Sequence, residues 1–144
     1  MPYPLGIKMK YNFDLIEQLC RELSFPFKIQ NDNLFKVAVG PAIFLWCRNA
    51  ELDNDCLIEF EGTPWHTHDE FMFSDRHGYY VEMDYLDVLA GLKDGQVLIC
   101  ELHKIGRLKD RWLIHRDYND EFRYLENDEE IRIWRAVSIH QEES

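Results

Sequence analysis

The chain has 144 residues, 46% of them hydrophobic and 14% aromatic, with a formal net charge of −11. This composition excludes a disordered chain, and the length fits one domain, residues 1–144, with a sizeable core. No apolar run approaches the roughly 18–20 residues that a bilayer span requires. An acidic surface repels phosphate backbones and anionic lipid, so neither nucleic acid nor membrane is an expected partner. Met1-Pro2-Tyr3-Pro4-Leu5 lacks the basic and apolar regions of a signal peptide, and the expected compartment is the cytoplasm. Cys20, Cys47, Cys56 and Cys100 form no Cys-x-x-Cys pair and read as reduced, buried thiols.

The first predicted element is a helix. Leu15, Ile16, Leu19, Cys20 and Leu23 fall on one face, Glu17, Gln18, Arg21 and Glu22 on the other. Asn12 can cap it, and Ser24-Phe25-Pro26 ends it. Extended segments follow at Phe27–Gln30 and Leu34–Val39 around an Asn31-Asp32-Asn33 turn. Gly40-Pro41 breaks the chain before the apolar run Ala42–Arg48, which suits a central strand. After a turn at Asp53-Asn54-Asp55 comes a strand at Cys56–Phe60.

Phe71–Phe73 and Tyr79–Met83 flank Ser74–Gly78 as a hairpin, with Gly78 suited to a left-handed position. A second helix is expected from Asp84, its N-cap, to Lys93, with Leu86, Leu89 and Ala90 as its apolar face and Gly95 as its C-cap. Val97–Leu102 and Leu108–His115 form a hairpin around Gly106. Asp117–Leu125 suits a short helical turn, and Ile131–Val137 a last strand. Strands in sequence with short connections and few helices argue for α+β. The expected form is a single domain with a mostly antiparallel, bent sheet and one or two helices on one face. The strand-helix-strand passage Tyr79–Leu102 leaves one parallel pair open.

Between the fourth strand and the first hairpin lies EGTPWHTHDEF, Glu61–Phe71. If Trp65–Ser74 is one extended segment, its residues alternate between faces. Trp65, Thr67, Asp69, Phe71 and Phe73 then share one face, and His66, His68 and Glu70 the other, with His77 in the nearby turn. Two imidazoles and a carboxylate are a possible first shell for one divalent transition metal. The stretch resembles the cupin metal motif in its order Gly62, His66, His68, Glu70, Gly78. It departs from that motif in spacing, and only His103 and His115 stand as candidates for a further histidine. It also resembles the JAMM metalloprotease motif in His66-Thr67-His68 followed by Ser74 and Asp75. There Asp69 replaces the motif's proline, and the serine–aspartate gap is too short. Neither likeness assigns a catalytic residue, and no Gly-x-Ser-x-Gly or phosphate loop is present.

Two stretches concentrate acid. One holds Glu51, Asp53, Asp55, Glu59 and Glu61. The other holds Asp117, Asp120, Glu121, Glu126, Asp128, Glu129 and Glu130, with Tyr118, Phe122 and Tyr124 among them. Rings supply contact area and charge steers a basic partner. Over its whole length the chain resembles the immunity proteins of bacterial polymorphic toxins (contact-dependent inhibition, Rhs and type VI effectors). GYYVEMDYLDVLAGLKDGQVLICE and DRWLIHRDYNDEFRYLE are similar to an uncharacterised bacterial family of this size. The resemblance implies a non-enzymatic protein without cofactor that occludes a cognate toxin, a nuclease or other cationic protein. Its expected contacts are Asp117, Tyr118, Asp120, Glu121, Tyr124, Glu126 and Asp128, with Glu51, Asp53 and Asp55. The alternative is a metal-dependent enzyme or cupin-like protein using His66, His68 and Glu70.

Overall fold

The computed structural model describes residues 12–50, 55–68, 71–119 and 125–136. Helix α1 spans Phe13–Leu23 and starts where the Asn12 side chain accepts the Asp14 N–H at 2.8 Å. Ile16 and Cys20 are closed to solvent, with Phe13, Leu19 and Leu23 packed around them. Leu15, expected on this face, is 54% exposed. One residue turns a helix by about 100°, which carries Leu15 off a stripe centred on Ile16. Ser24, at φ 63°, ends the helix in a left-handed cap.

Strands β1 (Phe27–Asn31), β2 (Leu34–Gly40), β3 (Ile43–Ala50), β4 (Asp55–Phe60) and β5 (His66–His68) form an antiparallel sheet in chain order. β3, the apolar run, is its middle strand, as the sequence predicts. Gly40-Pro41, read as a break, opens a tight hairpin instead: Gly40 pairs with Ile43, and Ala42 turns the chain at φ 60°. Alternation gives the sheet two unlike faces. Phe35, Val37, Leu45, Cys47, Ile58 and Phe60 point inward and are buried. The opposite face carries a cross-strand row of Lys28, Lys36, Trp46, Glu59 and His66.

The first expected hairpin forms from β6 (Phe71–Ser74) and β7 (Tyr80–Met83), with Gly78 at φ 89°. Helix α2 (Tyr85–Asp94) begins at a capping box between Asp84 and Asp87 and ends at Gly95, φ 86°. Its fully buried side chains are Tyr85, Val88, Leu89 and Leu92, so the apolar face is turned from the expected one, and Leu86 and Ala90 lie at its margin. The Tyr85 hydroxyl donates to the Leu45 carbonyl at 3.0 Å, tying α2 to the middle strand. Gly91 sits mid-helix where alanine would favour helix. A β-carbon there would come within 2.7 Å of Val97 Cγ2, so glycine is what allows the close approach.

Strands β8 (Val97–Lys104), β9 (Arg107–His115) and β10 (Glu129–Trp134) form a third sheet in the order β10-β8-β9. β10 begins two residues before the expected strand, and Val137 lies outside the described residues. Asp117 and Tyr118 are bends and Asn119 is irregular rather than helical, and residues 120–124 of the expected helical turn lie outside the described ones. Every strand pair among the described residues is antiparallel, so the parallel pair left open after α2 does not form. The class is α+β, a bent and open antiparallel array with two helices. Both helices, the inward face of the five-stranded sheet and one face of β8–β9 share a single core. The other face of β8–β9 buries Cys100, Trp112 and Ile114 in a second cluster, and Trp65 packs against both.

Candidate functional site

Trp65 to Ser74 is not one strand. β5 is the edge of the five-stranded sheet, β6 belongs to another sheet, and Asp69 and Glu70 lie outside the described residues. The expected facing nevertheless holds on each piece: His66 and His68 are exposed, Trp65 is half-buried, and Phe71 and Phe73 are buried. His66 stands in register with Glu59 and His68 with Leu57. Among the described residues no three His, Cys, Asp or Glu side chains gather to hold a metal ion. His77 is exposed in the β6–β7 turn, and His103 and His115 are buried in the third sheet.

Five of the described acids in the two acid-rich stretches pair with cations, three from distant parts of the chain and two from near neighbours. Glu61 meets Lys36 at 2.9 Å and accepts the Trp46 indole N–H at 2.9 Å. The Lys36 contact is the leading cause holding its carboxyl below the ordinary range. Glu59 faces Arg48 at 3.5 Å, and both cations lie over the Trp46 ring. Asp117 pairs with Arg116 at 3.1 Å, Glu126 with Lys104 at 2.9 Å and Glu130 with Arg132 at 2.8 Å. Glu51, Asp53, Asp120, Glu121 and Tyr124 lie outside the described residues, as does the Asp55 side chain. Asp117 and Tyr118 follow the end of β9, whereas Asp128 bonds to Ile105 at its other end. β9 has nine residues, so roughly 25 Å of strand separates the two groups at about 3.3 Å per residue.

What the fold does assemble is a cleft of about 260 Å³ where β5, β6 and β9 converge. Trp65 and Thr67 come from β5 and its lead-in, Phe71 to Ser74 from β6, Leu113 and Ile114 from β9, and Tyr118 and Asn119 from the segment beyond. An unbroken chain of rings runs beneath it. Phe60–Trp65, Trp65–Phe71, Phe71–Phe73, Phe73–His115 and His115–Tyr118 have centroids 5.9, 6.3, 5.7, 5.8 and 5.1 Å apart. Met72, 62% exposed, continues the cleft onto the outer face of the hairpin, where Tyr80 is also exposed, and Tyr79 is exposed just before β7. The cleft thus brings part of the His-x-His stretch against the start of the aromatic–acidic segment. Sequence reasoning flagged Tyr118 but gave no binding role to Met72, which strand alternation places on the outward face of β6, or to Asn119.

His115 fixes that segment in place. Its Nδ1 accepts the N–H groups of Asp117 at 3.0 Å and Tyr118 at 3.3 Å, and its carbonyl accepts the Asn119 amide at 3.0 Å. Burial pushes the imidazole below its ordinary value, with Arg116 acting the same way and Asp117 and Asp94 opposing. The ring is therefore neutral with Nδ1 free of a proton, as the two accepted bonds require.

A second buried polar group lies on β8–β9. Glu101 accepts from Arg111 Nε, His103 Nε2 and Trp134 Nε1, each at 2.8 Å. Burial favours the protonated carboxyl, and the His103, Trp134 and Arg111 bonds together reverse this and hold it below its ordinary range. With three donors on two oxygens, this carboxylate is committed to holding the sheet. Its residues do not line the cleft. Among the described residues no helix is long and apolar enough to cross a membrane. No protein-family profile, curated protein or solved structure matches this chain.

Proposed function

We propose that the chain is an immunity-type binding protein that neutralises a cognate bacterial toxin, a nuclease or other cationic protein, by covering its active site. The cleft between β5, β6 and β9 carries this reading, together with the exposed Met72, Tyr79 and Tyr80 beside it. Aromatic residues and methionine are the residue types enriched where proteins meet, and a shallow cleft with a ring floor suits an anchoring side chain of the partner. The net charge of −11 supplies long-range attraction for a basic partner even where single acids are internally paired. In this reading Tyr118 and Asp117 sit at the centre, and Glu126 and Asp128 at a distant rim.

The test is co-expression and co-purification with the product of the neighbouring gene, followed by titration of any toxic activity that product carries. The expected result is a stable complex and stoichiometric loss of activity. Tyr118→Ala combined with Met72→Glu weakens that complex at least tenfold while leaving the melting temperature within a few degrees. A toxin-type neighbour that neither binds nor loses activity overturns the reading.

A further inference from the structure

We propose that Cys47 and Cys56 are an oxidisable pair, converted by a small peroxide into a disulfide that staples β3 to β4. The inference is independent of the partner reading above. The register pairs Cys47 with Ile58 and Cys56 with Asn49. The cysteines are therefore diagonal neighbours on the inward face, within mutual reach across an antiparallel ladder. Both side chains are closed to solvent, and their sulfurs are 2.8 Å apart. That is closer than two non-bonded sulfur atoms rest, and less than an ångström beyond the roughly 2.05 Å of a disulfide bond.

The other two cysteines lie elsewhere. Cys20 is in α1 and Cys100 in β8. Burial, with Glu17 nearby, pushes the Cys20 thiol up to about 12, so it carries almost no thiolate at neutral pH. A peroxide suits the pair because it is small enough to enter during brief openings of the sheet.

The chemistry balances without another reagent. One cysteine loses its proton, and its thiolate attacks a peroxide oxygen. The O–O bond breaks, the sulfur becomes a sulfenic acid, and the departing hydroxide takes up the proton as water. The second thiol attacks that sulfur, the S–O bond breaks, and the oxygen leaves as a second water carrying the second proton. Two thiols and one hydrogen peroxide give one disulfide and two waters, with two electrons passing from sulfur to oxygen. The new bond closes the chain around Glu51, Asp53 and Asp55, and a mild thiol reductant reopens it.

The experiment treats the full-length protein with hydrogen peroxide at neutral pH, then alkylates it with N-ethylmaleimide in denaturant. The expected product takes up label at two of its four thiols and regains all four after dithiothreitol. Trypsin cuts after Arg48, so the bond appears as a peptide ending at Arg48 linked to one holding Cys56. The oxidised form melts higher, by roughly 5–10 °C for a short closed loop. A Cys20→Ala/Cys100→Ala variant forms the same link. The proposal fails if all four thiols remain alkylatable, if the link joins Cys20 or Cys100, or if the linked form melts below the reduced one.

Discussion

Arg111 Nε donates to Glu101 Oε2 at 2.8 Å, and both side chains are all but closed to solvent. The remaining carboxylate oxygen takes the His103 and Trp134 donors. Removing one member of a buried pair strands a charge, which costs about 3–5 kcal/mol. Arg111→Met is therefore expected to lower the unfolding free energy by that much, read as a lower urea midpoint at unchanged slope. Glu101→Gln/Arg111→Met removes both charges and keeps an acceptor for His103 and Trp134, and recovers a large part of the loss. A double variant as unstable as Arg111→Met alone would show that packing of Arg111, not the charge, is what matters.

The same carboxylate gives a pH dependence of known sign. Its folded value lies below the ordinary 4.5. A depressed carboxylate contributes stability that is full above the unfolded value and is lost as pH falls through the folded one. Denaturation midpoints of the wild type should fall as pH drops below about 4.5. In Glu101→Gln the fall should be shallower, other carboxylates accounting for what remains.

The hairpin that makes this contact shows where sequence reasoning stops. Gly106 located the turn correctly, and β8 alternates Val97, Ile99, Glu101, His103 on its inward side. Counting from a regular two-residue turn, however, pairs Glu101 with Asp110, two acids. A bulge opposite Leu102 and His103 takes up one extra residue, so Glu101 meets Arg111 instead. Nothing in the local pattern of Lys109 announces that bulge. Capping signals worked better because they are local: Asn12, Asp84, Gly78 and Gly95 all act as read. The pairing of the acid-rich stretches was not legible for the converse reason. Their neutralising partners, Lys36, Arg48 and Lys104, are distant in sequence and come near only through strand register.

His115 supplies a prediction at the cleft. Its folded value is depressed below the ordinary 6.5, with burial the largest cause. The folded state then binds fewer protons than the unfolded one, so the contribution is complete above about 6.5 and fades as pH falls below it. Protonation of Nδ1 would also eject the Asp117 and Tyr118 N–H groups that it accepts. Amide exchange at Asp117 to Asn119 should accelerate as pH falls from 7 to 5, after correction for intrinsic rates. His115→Gln should flatten that dependence, and an unchanged profile in this variant would assign the effect to another group.

Ile105 turns the β8–β9 hairpin at φ 51° while 75% exposed. A β-branched residue is poorly suited to the left-handed region, and this side chain gains little burial in return. Ile105→Asn creates the Asn-Gly pair preferred in a two-residue hairpin turn. The substitution is expected to raise stability by about 1 kcal/mol, read as a higher urea midpoint with an unchanged slope. If the midpoint falls, Ile105 makes a stabilising contact that outweighs its backbone strain.

His66 and His68 stand on the exposed face of a sheet edge, registered with Glu59 and Leu57. Glu59 already faces Arg48, so a metal at His66 would compete with that cation for the cross-strand carboxylate. Two imidazoles without a third ligand bind zinc weakly, because the remaining positions fall to water. Calorimetry with zinc should therefore show no site tighter than the micromolar range, and His66→Ala/His68→Ala should melt within about 1 °C of wild type, as surface substitutions do. A tight, stoichiometric zinc isotherm abolished by that double variant would place a third ligand beside this strand. Glu70, two residues beyond His68, would be the first side chain to replace in locating it.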